Sequence, residues 1–100
     1  MQLAKVIGTI VSTHKEPTLR GKLLLLQYLD EQGNLLSKYE VAADQVGAGV
    51  DEWVLVTCGS AARQIPGNEN RPLDALVVGI VDTVNIGNQL VYSKKDEARQ

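Results

Sequence analysis

Four consecutive leucines in KLLLLQYLD, Leu23 to Leu26, limit what this chain can become. A strand sends alternate side chains to opposite faces, so Leu23 and Leu25 point one way and Leu24 and Leu26 the other. WVLV at Trp53–Val56 repeats the problem, and so does ALVVGIVDTV, Ala75 to Val84. Three strands are therefore apolar on both faces. The chain has 100 residues, and a domain near that size hides roughly 60–70% of its unfolded surface. Each fully buried Leu or Val contributes roughly 1.5–3 kcal/mol, and several left in water make an adhesive patch. Other copies of the same chain supply the missing cover, so an obligate homo-oligomer is expected. The competing reading is a sandwich whose loops fold over its own outer face.

Short β-branched runs and tight turns organise the rest. LAKVIGTIVS (Leu3 to Ser12) reads as a strand with Gly8 at a bend or close backbone approach. THKEPTLRG is a polar loop. Lys22 to Asp30 and Leu35 to Ala42 form a hairpin across EQGN, where Gly33-Asn34 suits positive φ. Trp53 to Cys58 is a short apolar strand, a further strand spans Val77 to Val84, and QLVYS follows a Gly87-Asn88 turn. Ser60 to Arg63 could form one helical turn, ended by Pro66-Gly67-Asn68. KKDEARQ is a charged tail, solvated or lying on a neighbour. The fold class is all-β, a small five-stranded barrel of oligonucleotide-binding type with at most one or two short helical turns. Residues 1–92 form the single domain and 93–100 the tail.

Composition removes several functions. Net charge is −2 with a pI near 5.3, and the ten basic residues are scattered apart from Lys94-Lys95. That is a poor footprint for nucleic acid, which calls for a basic face. A single-stranded nucleic-acid module would also stack bases on exposed aromatics, and there are four: Tyr28, Tyr39, Tyr92 and Trp53. One cysteine, Cys58, allows no intrachain disulfide and no multi-cysteine metal site. The start of the chain lacks a signal peptide's pattern and no apolar run reaches the ~20 residues of a membrane helix. A soluble cytosolic protein is expected, without cofactor, nucleic acid or membrane.

Chemical motifs are thin. Gly47-Ala48-Gly49 starts like a dinucleotide fingerprint, but position 52 is Glu and an apolar strand follows, so no helix N-terminus would receive a pyrophosphate. Cys58 with His14, the lone histidine, would make a nucleophilic dyad only if the fold joined them. The simpler reading is a small strand-end residue and a solvated histidine. Asp44, Asp51, Glu52, Asp74 and Asp82 could supply an acid pair, though turns and ion pairs are their commoner work. Asp82 interrupts an apolar strand and calls for a partner, with Arg63 and Arg71 as candidates.

Taken in order, KVIGTIVSTHK, GKLLLLQ, VGAGVDEWVLVTCGSAAR and LDALVVGIVDTV resemble the CcmL/EutN family of bacterial microcompartment vertex proteins over nearly the whole chain. Asp51-Glu52-Trp53 looks more like the carboxysome branch, although that family often has glycine where this chain has Asp51. The resemblance implies a β-barrel protomer in a cyclic homopentamer with no enzymatic activity. Such a pentamer would sit at the vertices of a polyhedral shell, in the cytoplasm, beside hexameric facet proteins and carboxysome scaffold proteins. A vertex role in a non-carboxysome compartment is the nearest alternative. A head-to-tail ring uses two different patches per subunit, which suits two-faced strands. Small residues let backbones converge on an axis. Gly59, Ser60 and Ala61 are accordingly candidates for a narrow fivefold pore, with THKEPTLRG second. Leu24, Leu26, Gly47, Gly49, Arg63, Asp74 and Asp82 are candidates for the subunit contact.

Overall fold

The computed structural model describes residues 1–11, 22–59 and 74–97. The strands are β1 (Gln2–Val11), β2 (Lys22–Leu29), β3 (Leu35–Asp44), β4 (Trp53–Cys58), β5 (Ala75–Ile80), β6 (Thr83–Ile86) and β7 (Gln89–Ser93), followed by a short helix α1 (Lys94–Glu97). The first five close a barrel in the order β1-β2-β3-β5-β4, and β6 and β7 form a separate two-stranded ribbon. The barrel order is that of the expected oligonucleotide-binding type, on an all-β protomer.

Closure depends on two residues beyond the expected end of the third strand. Ala43 and Asp44 run parallel to Leu76 and Val77 of β5. All other barrel pairings are antiparallel. Gly8 sits at a register shift between Val6 and Gly8, where β1 bends across β2. The expected strand over Val77 to Val84 is two strands. The chain turns at Val81 and Asp82, where the Val81 N–H donates to the Trp53 carbonyl at 2.8 Å. After the turn, β6 leaves the barrel and pairs with β7.

The barrel interior is filled by Ala4, Val6, Leu24, Leu26, Ala42, Val54, Val56, Ala75 and Val77, with Tyr28 and Ala48 at its margins. Alanines alternate with larger aliphatics because five strands enclose little room. The register settles which leucines of β2 point inward. Leu24 lies opposite Ala42 and Leu26 opposite Glu40, and both leucines are fully buried. Leu23 faces outward and packs with Ala43 and Leu76, beside Ile10 and Val78.

β3 is paired unevenly. It pairs with β2 over Tyr39–Ala43 and again at Leu35, with a register shift between, but with β5 only through Ala43 and Asp44. Residues 35–41 therefore keep an open edge on the side away from β2, among the described residues.

Candidate assembly surfaces

The Gly-Ala-Gly loop is held by the protomer's own carboxylates. Asp44 Oδ1 accepts from the N–H groups of Val46 at 3.0 Å and Gly47 at 3.1 Å, and Oδ2 accepts from Ala48 at 3.1 Å. Glu52 Oε1 accepts from the Gly49 N–H at 2.6 Å. Asp51 N–H donates to the Val6 carbonyl at 2.7 Å, and Val6 N–H to that of Glu52 at 2.9 Å. The loop is thus fastened to β1, and fully buried Ala48 packs into the core. Gly47 has φ +75° and open space where a Cβ would stand. The donors that a phosphate would need are already occupied, which fits the departure from a nucleotide fingerprint.

The remaining candidates separate. Leu24 and Leu26 fill the barrel of their own protomer and present no surface to another copy, because the register turns them inward. Gly59 leaves β4 with φ +63° and donates its N–H to the Asp74 carbonyl at 2.7 Å, tying the end of β4 to the start of β5. Asp82 is exposed at the turn into β6, where its carbonyl accepts from the Lys94 N–H at 2.8 Å. Ser60, Ala61, Arg63 and Arg71 lie outside the described residues, as do His14 and the loop THKEPTLRG. Cys58 is exposed and its Sγ shares a hydrogen bond with the Tyr28 hydroxyl at 3.4 Å. Burial holds that hydroxyl well above the ordinary tyrosine range, and the bond to Cys58 adds to the shift. Lys38 Nζ stands 4.9 Å from the Tyr28 ring centroid.

Two outward apolar patches emerge from the registers. On the first, Leu25 of β2 lies between Gly8 of β1 and Val41 of β3, and Tyr39 lies opposite Gln27. Tyr39 is 53% exposed and Val41 36%. On the second, Leu3 lies opposite Leu55, and Leu55 opposite Gly79. There Leu55 Cδ1 comes within 3.7 Å of where a Gly79 Cβ would be, and the groove beside it reaches Ile80, Val81 and Val84. Lys5 lies between the patches, paired with Gln27 on one side and Trp53 on the other. The outward apolar residues of β3 were missed in the sequence, although Tyr39 and Val41 stand at alternate positions, as residues on one strand face must.

The ribbon and tail have their own anchors. Trp53 and Tyr92 stack with ring centroids 4.0 Å apart and planes 13° apart. Gly33, in the β2–β3 turn at φ +87°, sits against the Trp53 ring and Val91. Asp30 shapes that turn, accepting at Oδ1 from the N–H groups of Gln32 and Asn34 at 2.9 Å each. These bonds, that from Asn34 foremost, hold its carboxyl below the usual range. The tail does not start free in solvent: Lys94 Nζ meets Glu52 Oε2 at 2.8 Å. Glu52 thereby joins the glycine loop to the root of α1.

With this geometry the chain matches the profile of the ethanolamine utilisation protein EutN/carboxysome family over residues 1–82. The chain belongs to that family. It is 67% identical to the carboxysome shell vertex protein CcmL of Nostoc sp., over 99% of this chain and all of the relative. Against the microcompartment shell vertex protein EutN of Escherichia coli the identity is 45%, over 94% of this chain and all of the relative. Among solved structures, that of Gloeobacter violaceus CcmL superposes with a TM-score of 0.88 at 61% identity, covering 96% of this chain and all of that one. A pentameric microcompartment shell protein from Rhodospirillum rubrum gives 0.76 at 49% identity, covering 86% and 99%. The carboxysome relatives are thus the nearer group of the two.

Proposed function

We propose that five copies of this chain close into a ring that caps the vertices of a carboxysome shell in the cytoplasm. The observation that carries the reading is the pair of different apolar patches on one protomer. A patch that met its own copy would give a two-fold dimer. Two unlike patches that meet each other give a head-to-tail ring. A flat hexagonal sheet cannot close, and fivefold units at its corners let it do so. The ring would border hexameric facet proteins, and carboxysome scaffold proteins are further partners on this reading. Gly59, Ser60 and Ala61 would border a narrow axial pore, and Arg63, Asp74 and Asp82 would lie at the contact between copies. The identity gap between carboxysome and ethanolamine-utilisation relatives favours the carboxysome over another compartment.

Multi-angle light scattering tests the reading. The expected mass is five times that of the 10.8 kDa chain, and a monomer at micromolar concentration would overturn it.

A further inference from the structure

An edge strand normally carries protection against pairing with another chain: charges, proline, a bulge or covering structure. The open edge of β3, residues 35–41, is only partly guarded, by Lys38, Glu40 and the register shift opposite Gln27 and Leu29. Leu35 is 51% exposed, Leu36 42% and Tyr39 53%, and the segment contains no proline. Its lysine, Lys38, is turned over the Tyr28 ring. The β6–β7 ribbon is guarded less, by a register shift between Val84 and Asn85. Among the described residues its strands pair only with each other, and the ten residues from Thr83 to Tyr92 include no charge and no proline. Ile86 and Leu90 stand 43% and 51% exposed near its tip.

We propose that the ribbon of one protomer is laid along the open β3 edge of the next, extending the barrel sheet between copies. The proposal rests on the ring reading above and extends its contact: Tyr39 and Val41 belong to the first patch, and the ribbon leaves the second patch at Val84. The two elements belong to one chain and are unlike each other, so their pairing is head-to-tail and every copy both gives and receives. Main-chain hydrogen bonds would supply the register-independent part of the contact. Leu35, Tyr39 and Val41 against Ile86 and Leu90 would supply the apolar part. The ribbon is presented at a fixed angle because its root is held by the Trp53–Tyr92 stack and the Glu52–Lys94 pair.

The test uses the full chain carrying Cys58→Ser, Tyr39→Cys and Leu90→Cys, treated with a short bis-maleimide. Both new cysteines occupy exposed positions, and light scattering checks that the variant keeps the mass of the unmodified protein. The expected result is a covalent ladder on a denaturing gel reaching five chains. Slowed hydrogen exchange at the amides of residues 35–41 in the unmodified assembly should accompany it. A pentamer with no ladder and rapid exchange at 35–41 overturns the edge pairing and leaves the ring intact. A pentamer with slowed exchange but no ladder overturns the ribbon as the covering element. A monomer overturns the ring reading itself.

Discussion

Replacing Gly33 by alanine should be among the most damaging single-methyl changes in this protein. Two costs combine. At φ +87° a side chain is in the left-handed region, which costs about 1–2 kcal/mol for a residue with a Cβ. The added Cβ would also stand 2.7 Å from Trp53 Cη2 and 3.2 Å from Val91 Cγ1. The indole cannot swing aside without breaking its stack on Tyr92, and forcing a methyl into such a site costs about 1–3 kcal/mol. The sum, about 2–5 kcal/mol, is a large part of the roughly 5–15 kcal/mol that holds a typical domain together. Gly87→Ala is the matched control. It has φ +61° but nothing within 4 Å of the new methyl, so it should lose only the backbone part, about 1–2 kcal/mol. Urea unfolding followed by the fluorescence of Trp53, the single tryptophan, measures both variants. Equal protomer concentrations remove the effect of assembly on apparent stability. If Gly33→Ala cost no more than Gly87→Ala, the packing of the β2–β3 turn against the indole would be refuted.

Leu24→Ala should lower stability by about 2–5 kcal/mol because it opens a cavity in a fully buried site, whereas Val41→Glu should leave the barrel's circular dichroism unchanged and reduce the mass in solution. A Leu24→Ala protein that dissociated without losing stability would contradict the inward placement of that leucine. The Glu52–Lys94 pair predicts an alkaline effect: the hydrogen bond to Glu52, and then its charge, raise Lys94 above its ordinary 10.5. A raised folded value stabilises fully below the unfolded one and is lost as pH climbs through the folded one. The difference in thermal midpoint between the wild-type chain and Lys94→Met should therefore be constant up to about pH 10 and narrow above it. A difference that stays flat through pH 12 would show that the pair adds nothing.

The strands were legible because β-branched runs and glycine-bearing turns act locally. Trp53–Cys58 falls where the sequence puts it, and the Gly87-Asn88 turn joins two strands as expected. The facing of the leucine run was not legible. Alternation says that Leu23 and Leu24 oppose each other, but four identical residues hold no clue to which pair is inside. That choice is made by the register of β2 against β1 and β3, through Val6 opposite Leu26 and Ala42 opposite Leu24. The break at Val81 and Asp82 was hidden for a similar reason, since the bond that turns the chain comes from Trp53, a distant residue. Asp51 is an instructive case. It adopts φ +74°, the one positive value at a described non-glycine residue. Aspartate tolerates that conformation better than most residues with a Cβ, so its identity alone did not reveal the backbone.

The Gly47-Ala48-Gly49 turn has a role within its own chain that its composition does not reveal. Gly47 and Gly49 permit close approach, but what approaches is the carboxylates of Asp44 and Glu52 from the same chain. Those bonds seat Ala48 against the core and leave Glu52 with a second oxygen for Lys94. From Lys94 the path runs back through β7 to Tyr92, and from Tyr92 through the indole of Trp53 to the turn at Gly33. Every link is a short contact within one protomer, and together they fix the ribbon relative to the barrel. An assembly that must close after a set number of subunits needs a set angle between giving and receiving surfaces, because a small error at each contact accumulates around the ring. On the proposed contact, the barrel supplies the receiving edge and this internal brace sets the direction of the giving one. Loosening the brace at Glu52 should then broaden the distribution of assembly sizes before it weakens the barrel.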